Sequence, residues 1–511
     1  MLGPDPEVDG RVSARVTGAT LLGVEGHAIE VEVRASSQLP RIDIVGLPEA
    51  AVRESAARVR AAIGAIGQRF PERRLTVNLA PAELRKSGSA LDLPIAIGIL
   101  AAAGAVEAER LSGLGLIGEL ALDGRLRPVR GALALALAAR DAGCERLIVP
   151  RANAEEAGLA LGLEVQIAGD LGAVVASLLG AGALEMAPTT SLSQCQASPE
   201  AALELADVRG QERAKRALVI AAAGGHTILL RGAPGAGKTM LARRLPGFLP
   251  PPSFEEALEV TRVHGAAGLL DRPMLLSRPF RAPHHSASPA GLLGGSNPPR
   301  PGEVSLAHRG VLFLDELPEF DRRCLESLRQ VLEERRVVIS RAGNRCAFPA
   351  DFQLVAAANP CPCGWRGSTR RDCRCDPGMV TRYESRISGP LLDRIDLHVE
   401  VEEVAWHELD NTTAGTTSEE VRGAVAAARA RQLLRGRCSN ARLADAELDA
   451  AVRATADARR LLGRAVEHFG LSARAARRIL RVARSISDLA DDPQTGSPAV
   501  AEALSFRGET L

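Results

Sequence analysis

Residues 226 to 245 read HTILLRGAPGAGKTMLARRL, and this stretch predicts the fold of the region around it. An apolar run predicts a buried strand, the pattern Gly-x4-Gly-Lys-Thr predicts a phosphate-binding loop, and the residues after it predict a helix. Lys238 can neutralise charge on the β- and γ-phosphates, and the Thr239 hydroxyl can bind Mg²⁺. The stretch therefore predicts an ATP and Mg²⁺ site in a P-loop α/β unit. The expected nucleotide-binding residues are Gly232, Ala233, Pro234, Gly235, Ala236, Gly237, Lys238, Thr239 and Met240.

Two further apolar strands end in polar residues that would complete such a site. The stretch GVLFLDELPEF (310–320) predicts a strand that ends at Asp315 and Glu316, and FQLVAAANP (352–360) predicts one that ends at Asn359. We expect Asp315 to hold the Mg²⁺ shell and Glu316 to polarise the attacking water. Asn359 is placed to orient that water beside the γ-phosphate. The three strand ends therefore predict an ATPase.

The rest of the chain divides into regions of different composition. It has 511 residues, of which 46% are hydrophobic, enough for several domains with separate cores. Apolar runs alternate with alanine-rich stretches over 1–182, which is typical of an α/β or α+β domain, and the small, polar residues 183–202 predict a linker. A second α/β unit is expected over 203–404. Alanine- and arginine-rich sequence over 405–511 predicts a helical domain, with a capping box at Thr417.

Charge and cysteine usage bear on the compartment and the partner. The net charge is +1, which excludes a polycation but not a local basic stripe. The first 15 residues carry no apolar core, and the longest apolar run, about 93–106, is too short to span a bilayer. Only four of the nine cysteines cluster, so no secreted disulfide framework is expected. We therefore expect a cytoplasmic protein without a membrane partner.

Five stretches resemble the YifB/ComM family of magnesium-chelatase-like AAA+ ATPases: DVRGQERAKRALVIAAAGGH, FRAPHHSASPAGLLGG, PGEVSLAHRGVLFLDELPEF, ANPCPCG and RISGPLLDRIDLHVEV. The resemblance covers nearly the whole chain. It implies a first domain, 1–182, similar to the Lon protease domain, and a helical lid over 405–511. Between them it implies an AAA+ core, 203–404, of the helix-2-insert clade that includes magnesium chelatase and MCM helicases.

The same resemblance implies roles for three residues. Asn359 matches sensor 1, Arg394 matches the arginine finger, and Arg474 matches sensor 2, with Arg477 and Arg478 close by. An arginine finger acts on the ATP of a neighbouring subunit, which implies a ring, and such relatives usually form hexamers. An ion pair of Arg394 with an adjacent aspartate is the alternative to the finger role.

The first domain lacks the residues that a Lon-type protease needs. Such an enzyme uses a serine in a tight turn and a lysine at the start of a later helix. Ser87 and Ser89 lie in a suitable turn, but positions 130–137, where the lysine is expected, contain none, and Lys86 is the only lysine of the first 182 residues. We therefore expect a non-catalytic scaffold, as in the RadA repair ATPase, where a Lon-like domain supports a DNA motor.

The stretch VVISRAGNRCAFP (337–349) predicts two short strands joined by a turn at residues 342–344. In MCM-like rings, a hairpin at this place enters the pore and contacts the DNA backbone. Arg341 and Arg345 would flank its tip and suit phosphate contacts that do not read sequence. A solvated hairpin tip is the alternative. Aromatic residues make up only 3% of the chain, so base-stacking platforms are not expected.

Residues 359–375, NPCPCGWRGSTRRDCRC, hold the four clustered cysteines among four arginines. Four thiolates match tetrahedral Zn²⁺ in number, although Cys-x-Cys is tighter than the usual Cys-x2-Cys. Unligated thiols in an arginine-rich loop and a redox switch are the alternatives. An ordered loop would aim its arginines at DNA or at a neighbouring subunit. The expected zinc ligands are Cys361, Cys363, Cys373 and Cys375.

Three functions remain open. The ComM branch of the family is a helicase that drives branch migration during natural transformation, so the resemblance implies a motor on branched or single-stranded DNA that ignores sequence. The alternatives are a metal-chelatase motor and a regulatory ATPase that remodels protein complexes, the latter without a response to DNA. His284 and His285 lie in the expected helix-2 insert, where they would contact the pore or serve the structure.

Overall fold

The computed structural model describes residues 13–188, 203–296, 298–341, 344–404 and 416–507. Its first unit is an α/β fold. The strands are β1 (Ser13–Leu22), β2 (Glu25–Ser36), β3 (Arg41–Val45), β4 (Arg74–Ala80), β5 (Leu114–Leu116), β6 (Glu119–Leu120), β7 (Leu126–Arg127), β8 (Arg146–Pro150), β9 (Glu164–Ala168) and β10 (Glu185–Met186). The helices are α1 (Ala50–Ala65), α2 (Asp92–Ala102), α3 (Ala132–Asp141), α4 (Ala154–Ala157) and α5 (Leu171–Leu178).

Eight of these strands form one mixed sheet in the order β10-β9-β8-β5-β1-β2-β4-β3. Helix α2 is buried on every side, which explains why its sequence is apolar without a polar stripe. Gly98 lets α2 approach β2 closely, since a Cβ at that position would lie 2.7 Å from Cγ2 of Val33. The core of the first unit therefore lies between this helix and the sheet.

The start of the predicted linker, 183–202, contains a strand of the first sheet. Strand β10 pairs antiparallel with β9, with Glu185 opposite Ile167 and Met186 opposite Gln166. Composition did not reveal this strand because a two-residue strand at a sheet edge is held by backbone hydrogen bonds and needs little apolar sequence. The first sheet therefore extends to residue 186, and residues 189–202 lie outside the described part of the chain.

The second unit is built on a parallel sheet. Its strands are β11 (Ile228–Arg231), β12 (Phe280–Arg281), β13 (Gly294–Gly295), β14 (Arg300–Pro301), β15 (Val311–Leu314), β16 (Arg336–Arg341), β17 (Asn344–Pro349), β18 (Gln353–Ala358) and β19 (Leu397–Glu400). Its helices are α6 (Glu212–Gly224), α7 (Lys238–Ala242), α8 (Leu245–Phe248), α9 (Phe254–Ala267), α10 (Pro289–Leu293), α11 (Glu303–Leu306), α12 (Arg322–Glu334), α13 (Pro377–Glu384) and α14 (Gly389–Leu392).

The main sheet of this unit has the order β12-β15-β18-β11-β19, and each neighbouring pair is parallel. Strands β15 and β18 are buried along their whole length, so both faces are covered, and apart from Gln353 their sequence is apolar. The carboxyl ends of parallel strands meet at one edge of a sheet. The loops after β11, β15 and β18 therefore lie together.

The C-terminal part is helical, as the composition predicted. The helices are α15 (Ser418–Gly436), α16 (Leu448–Val452), α17 (Ala456–Phe469), α18 (Ala473–Leu489) and α19 (Ser497–Ser505). The predicted capping box is present at the start of α15: Thr417 Oγ1 accepts the Glu420 N–H at 3.3 Å, and the Glu420 carboxylate accepts the Thr417 N–H at 2.9 Å. Helices α15 and α18 pack on α6, which joins this part to the parallel sheet. Residues 405–415, at the start of the predicted lid, lie outside the described residues.

The first unit packs directly on the second. Val24, in the turn between β1 and β2, is buried in one cluster with Cys346 and Phe348 of β17. Ala257 of α9 and Met274 join the cluster that contains the apolar side of α3. The β16–β17 hairpin therefore has its base against the first unit. Among the residues described, none of the helices combines the length and the apolar composition that a membrane crossing requires.

Candidate active site

The phosphate-binding loop, residues 232–239, connects β11 to α7, as its sequence predicted. Three of its glycines have local reasons to be glycine. Gly235 and Gly237 have φ of +79° and +96°, in the left-handed region that side chains disfavour. A Cβ on Gly232 would collide with the carbonyl oxygen of Val401, which follows β19. The loop is therefore shaped by its own backbone and by the neighbouring strand.

Lys238 lies buried at the centre of this loop. Its Nζ donates to the carbonyl oxygens of Gly232 at 2.6 Å and Ala233 at 2.9 Å, and to Oδ1 of Asn359 at 3.0 Å. Burial lowers the pKa of Lys238 below its ordinary value, and the Asp315 carboxylate acts against that shift. The ammonium is thus held between the phosphate-binding loop and the end of β18, which places Lys238 and Asn359 in one site.

The acidic end of β15 meets the start of α7. Thr239 Oγ1 donates to Oδ2 of Asp315 at 2.8 Å, and the other oxygen of Asp315 accepts the Glu316 N–H at 2.9 Å. A hydroxyl and a carboxylate at this separation are the hard oxygen ligands that Mg²⁺ prefers, so the residues fit the ion. The structure therefore brings together the side chains for which the sequence predicted phosphate and Mg²⁺ binding.

His285 is a site residue whose role the sequence did not reveal. Its Nδ1 lies 3.0 Å from Oε2 of Glu316, and its ring lies against that of His284, with centroids 4.1 Å apart. His285 follows β12, the edge strand that pairs with β15. This histidine therefore contacts the acidic end of β15, and the pore contact considered from sequence stays a prediction. The order of the parallel strands is the signal that could have located it.

We expect His285→Ala to lower the turnover number for ATP by about tenfold, because the Glu316 carboxylate loses the side chain that holds it. Nucleotide affinity should change little, since His285 is not in the phosphate-binding loop. Steady-state hydrolysis and nucleotide titration would separate the two effects. His468→Ala is the control, since His468 is exposed on α17 and is not part of the nucleotide site. Equal rates in the two variants would contradict the positioning role.

Arg394 occupies a different environment from the one expected of an arginine finger. It is buried, and its guanidinium pairs with Glu333 of α12 and donates to the carbonyl oxygen of Pro390 at 2.7 Å. The adjacent aspartates considered as alternative partners, Asp393 and Asp396, instead pair with Arg507 and Arg478. To reach the nucleotide of a neighbouring subunit, Arg394 has to leave Glu333. The sequence did not reveal this because Glu333 is 61 residues away.

The three arginines near the predicted sensor 2 differ in their partners. They line an open groove of about 470 Å³ along α18. Arg478 pairs with Asp396 at 2.7 Å and Arg477 with Asp445 at 3.6 Å. Arg474 is exposed in the first turn of α18 and has no ion pair with a described carboxylate. Of the three, Arg474 therefore has the guanidinium that is open to a phosphate, and its sensor role stays a prediction.

The predicted hairpin forms over β16 and β17. The strands pair antiparallel from Arg336 opposite Pro349 to Arg341 opposite Asn344, which leaves a two-residue connection at 342–343. That connection lies outside the described residues, as does the side chain of Arg341. Arg345 is exposed one residue from the last pair. The hairpin thus has the predicted position between the acidic strand end and β18, with at least one exposed arginine near its turn.

The four clustered cysteines converge. The Sγ atoms of Cys361, Cys363, Cys373 and Cys375 all lie within 4.8 Å of one another. Three of the separations are 3.4 Å, 3.7 Å and 3.6 Å, for the pairs 361–363, 361–373 and 363–373. All four thiols are free, so the cluster contains no disulfide. The four cysteines that the sequence grouped therefore lie together, and metal binding by them stays a prediction.

The serines and the lysine of the first unit do not form a protease dyad. The Ser87 hydroxyl donates to the carbonyl oxygen of Leu21 at 2.9 Å, and that of Ser89 donates to the Glu119 carboxylate. Lys86 is buried and its ammonium donates to the carbonyl oxygen of Pro81. Neither hydroxyl is paired with an amine that could deprotonate it. The contacts are those of a turn held to its sheet.

A phosphate-binding loop, an acidic strand end and a polar strand end on one five-stranded parallel sheet define a P-loop ATPase of the AAA+ type. The family described as "Magnesium chelatase, subunit ChlI" matches residues 204–409. "Subunit ChlI of Mg-chelatase" matches residues 31–153, and "Magnesium chelatase, subunit ChlI C-terminal" matches residues 415–507.

Individual relatives give the particular family. The chain is 45% identical to YifB of Salmonella typhimurium over 489 residues, which cover 95% of each protein. It is 45% identical over 489 residues to the competence protein ComM of Haemophilus influenzae, covering 95% of this chain and 96% of that protein. The magnesium-chelatase 67 kDa subunit of Chlorobaculum parvum is 29% identical over 160 residues, 30% of this chain and 23% of that protein. The chain therefore belongs to the YifB/ComM family of magnesium-chelatase-like AAA+ proteins, as predicted, and this family uses ATP with Mg²⁺.

Proposed function

We propose that the chain is an ATP-hydrolysing ring motor that acts on DNA. Its most specific activity would be helicase-type branch migration, in the recombination of incoming DNA during natural transformation. The similarity to a protein named for competence supports that setting. The observation that carries the DNA part is the β16–β17 hairpin, which joins the acidic strand end to the strand that ends at Asn359 and exposes Arg345.

The chemistry follows from the residues at the sheet edge. Lys238 offsets charge on the phosphates, Glu316 polarises the attacking water, and Asn359 orients it. Thr239 and Asp315 would hold Mg²⁺, which supplies charge neutralisation at the β- and γ-phosphates when it is bound. Hydrogen bonds within the site join Lys238 to Asn359 and Thr239 to Asp315.

The hairpin connects this chemistry to DNA. Helix α12 follows Glu316 at one end of the hairpin, and β18 follows at the other end and leads to Asn359. A change in the contacts to the γ-phosphate therefore acts on both ends of the hairpin. Contacts of Arg341 and Arg345 with phosphates hold the DNA without reading its sequence. The alternative functions, a chelatase motor or a motor that remodels protein complexes, assign no role to the exposed Arg345.

In a ring, most simply a hexamer, the arginine finger of one subunit acts on the ATP of its neighbour. In it, Arg394 leaves Glu333 and approaches the nucleotide of the next subunit, and Arg474 contacts the phosphates as sensor 2. Residues 278–295, which include His284 and His285, would form the helix-2 insert. The first unit acts as a Lon-like, non-catalytic scaffold that braces the hairpin base through Val24, and the helices after residue 416 form the lid.

We expect Arg341→Ala with Arg345→Ala to weaken DNA binding and to lower its dependence on salt. Each phosphate contact to duplex DNA releases about 0.9 counterions on binding. Loss of two contacts should therefore reduce the magnitude of the slope of log affinity against log salt by about 1.8. Fluorescence anisotropy with a labelled duplex at several salt concentrations measures the slope.

The matched control is Arg336→Ala, at the opposite end of the hairpin, where the guanidinium lies 3.7 Å from Glu334. This variant should keep the parental slope. A double variant with the same slope as the parent would remove the hairpin from the DNA contacts.

A further inference from the structure

The loop that holds the four cysteines has little of its own to keep it in shape. Residues 359–376 run between β18 and α13 without a helix or strand, and half of them are exposed. Cys361 is the fully buried cysteine of the four, while the other three are half-buried. A loop with so few buried apolar groups needs another source of order, and a bound metal is the common one in proteins.

The sulfur positions have the geometry of a metal site. One Zn²⁺ with four thiolates at about 2.3 Å requires sulfurs roughly 3.8 Å apart, along the edges of a tetrahedron. The observed separations of 3.4 to 3.7 Å are close to that value. A disulfide needs sulfurs about 2.05 Å apart, so none of these pairs is bonded. Three sulfurs at these separations, with the fourth within 4.8 Å of each and no disulfide among them, have the arrangement that one shared ion requires.

The loop is also in contact with the phosphate-binding loop. Gly364 has φ of +82°, and a Cβ at that position would lie 2.6 Å from Cγ of Pro234. Arg231, the last residue of β11, donates to the carbonyl oxygen of Pro360 at 3.3 Å. The backbone of the cysteine loop therefore lies directly against the loop that surrounds the nucleotide phosphates.

Its other side is attached to the segment after β19. Ser368 and Thr369 donate to the two oxygens of Glu403, at 2.9 Å and 3.2 Å. Arg370 donates to the carbonyl oxygen of Val404 at 2.9 Å. This segment comes just before the residues that lead to the helical part. The cysteine loop thus contacts both the phosphate-binding loop and the segment 403–404, which precedes the predicted lid.

We propose that Cys361, Cys363, Cys373 and Cys375 bind one Zn²⁺, and that the zinc-closed loop, residues 361–375, braces the phosphate-binding loop through the contact of Gly364 with Pro234. Zinc then has a structural role, since four thiolates leave no open position for substrate. Its effect on activity is indirect: it keeps Pro234, and with it the carbonyl groups that hold Lys238, in the conformation that accepts phosphate.

Metal content tests the site itself. Full-length protein purified under reducing conditions without chelator should contain close to one zinc per chain by plasma mass spectrometry. Cys373→Ser with Cys375→Ser should lose that zinc, whereas Cys438→Ser, which changes a free cysteine outside the cluster, should keep it. The parental protein answers the question even if the double variant does not fold. Absence of metal, or iron in place of zinc, in the parental protein would overturn the site.

A pair of glycine variants tests the bracing. Gly364 and Gly367 both have positive φ, +82° and +78°, so alanine strains the backbone similarly at both. They differ in space: a Cβ at Gly364 meets Pro234, but a Cβ at Gly367 has nothing within 4 Å. Both variants should keep zinc, while Gly364→Ala should bind a fluorescent ATP analogue about tenfold more weakly than Gly367→Ala. Equal affinities would overturn the bracing.

This second test rests on the proposed nucleotide site, whereas the zinc measurement does not. Should the parental protein bind no ATP analogue, the proposed function fails while the metal site is judged by its zinc content alone. Parental binding together with equal glycine variants would instead reject the bracing and leave the ATPase intact.

Discussion

Replacing Lys238 by alanine is expected to remove ATP binding and hydrolysis together. The ammonium is the buried positive charge of the phosphate-binding loop, held by Gly232, Ala233 and Asn359. Removing a buried charge that faces phosphate costs about 3 kcal/mol or more, which corresponds to a loss of affinity of at least about a hundredfold. Turnover should fall by about a thousandfold or more, since the same charge acts in the transition state. Titration with a fluorescent ATP analogue and a phosphate-release assay measure the two effects.

Lys215→Ala is the control for this variant. Its ammonium pairs with Glu212 at 2.9 Å, on helix α6, and not with the phosphate-binding loop. This protein should bind and hydrolyse ATP nearly as the parent does. Parental affinity in Lys238→Ala would place the nucleotide elsewhere in the molecule.

The second large effect is expected for Glu316→Gln, which should stop hydrolysis without stopping binding. The Glu316 carboxylate is not among the groups that hold Lys238. It lies at the end of β15, where the attacking water is expected. An amide of the same shape cannot accept the proton of water, so turnover should fall by about 10² to 10³. ATP should remain bound and unhydrolysed, which a filter-binding assay with labelled ATP detects.

Glu319→Gln is the matched control, since Glu319 lies three residues later and pairs with Arg386 at 2.6 Å. It should hydrolyse ATP at close to the parental rate. A Glu316→Gln protein that turns over as fast as this control would show that another residue polarises the water.

Local chemistry explains which features could be predicted from the sequence. The phosphate-binding loop is written in consecutive residues, because its glycines, lysine and threonine each have a fixed place between a strand and a helix. The acidic end of β15 was predictable for the same reason, since four buried residues precede it directly. The capping box at Thr417 and the β16–β17 hairpin also depend on contacts within a few residues.

Features that depend on distant contacts could not be predicted in this way. His285 reaches Glu316 only because β12 pairs with β15, and a two-residue edge strand has almost no sequence signature. The buried guanidinium of Arg394 pairs with Glu333, which lies far from residue 394 in the sequence, in helix α12. The contact of Gly364 with Pro234 likewise joins two loops that are separate in sequence. In each case, the order of the strands brings the residues together.

The steady-state rate of ATP hydrolysis with and without branched DNA tests most directly whether the chain is a DNA motor. The measurement uses the full chain at low salt, where phosphate contacts are strongest, with single-stranded DNA as a second ligand. We predict a several-fold rise in the rate with DNA, and loss of that rise in Arg341→Ala with Arg345→Ala while the rate without DNA is unchanged. An active ATPase whose rate does not respond to saturating branched or single-stranded DNA would contradict a DNA motor and favour a motor for protein complexes.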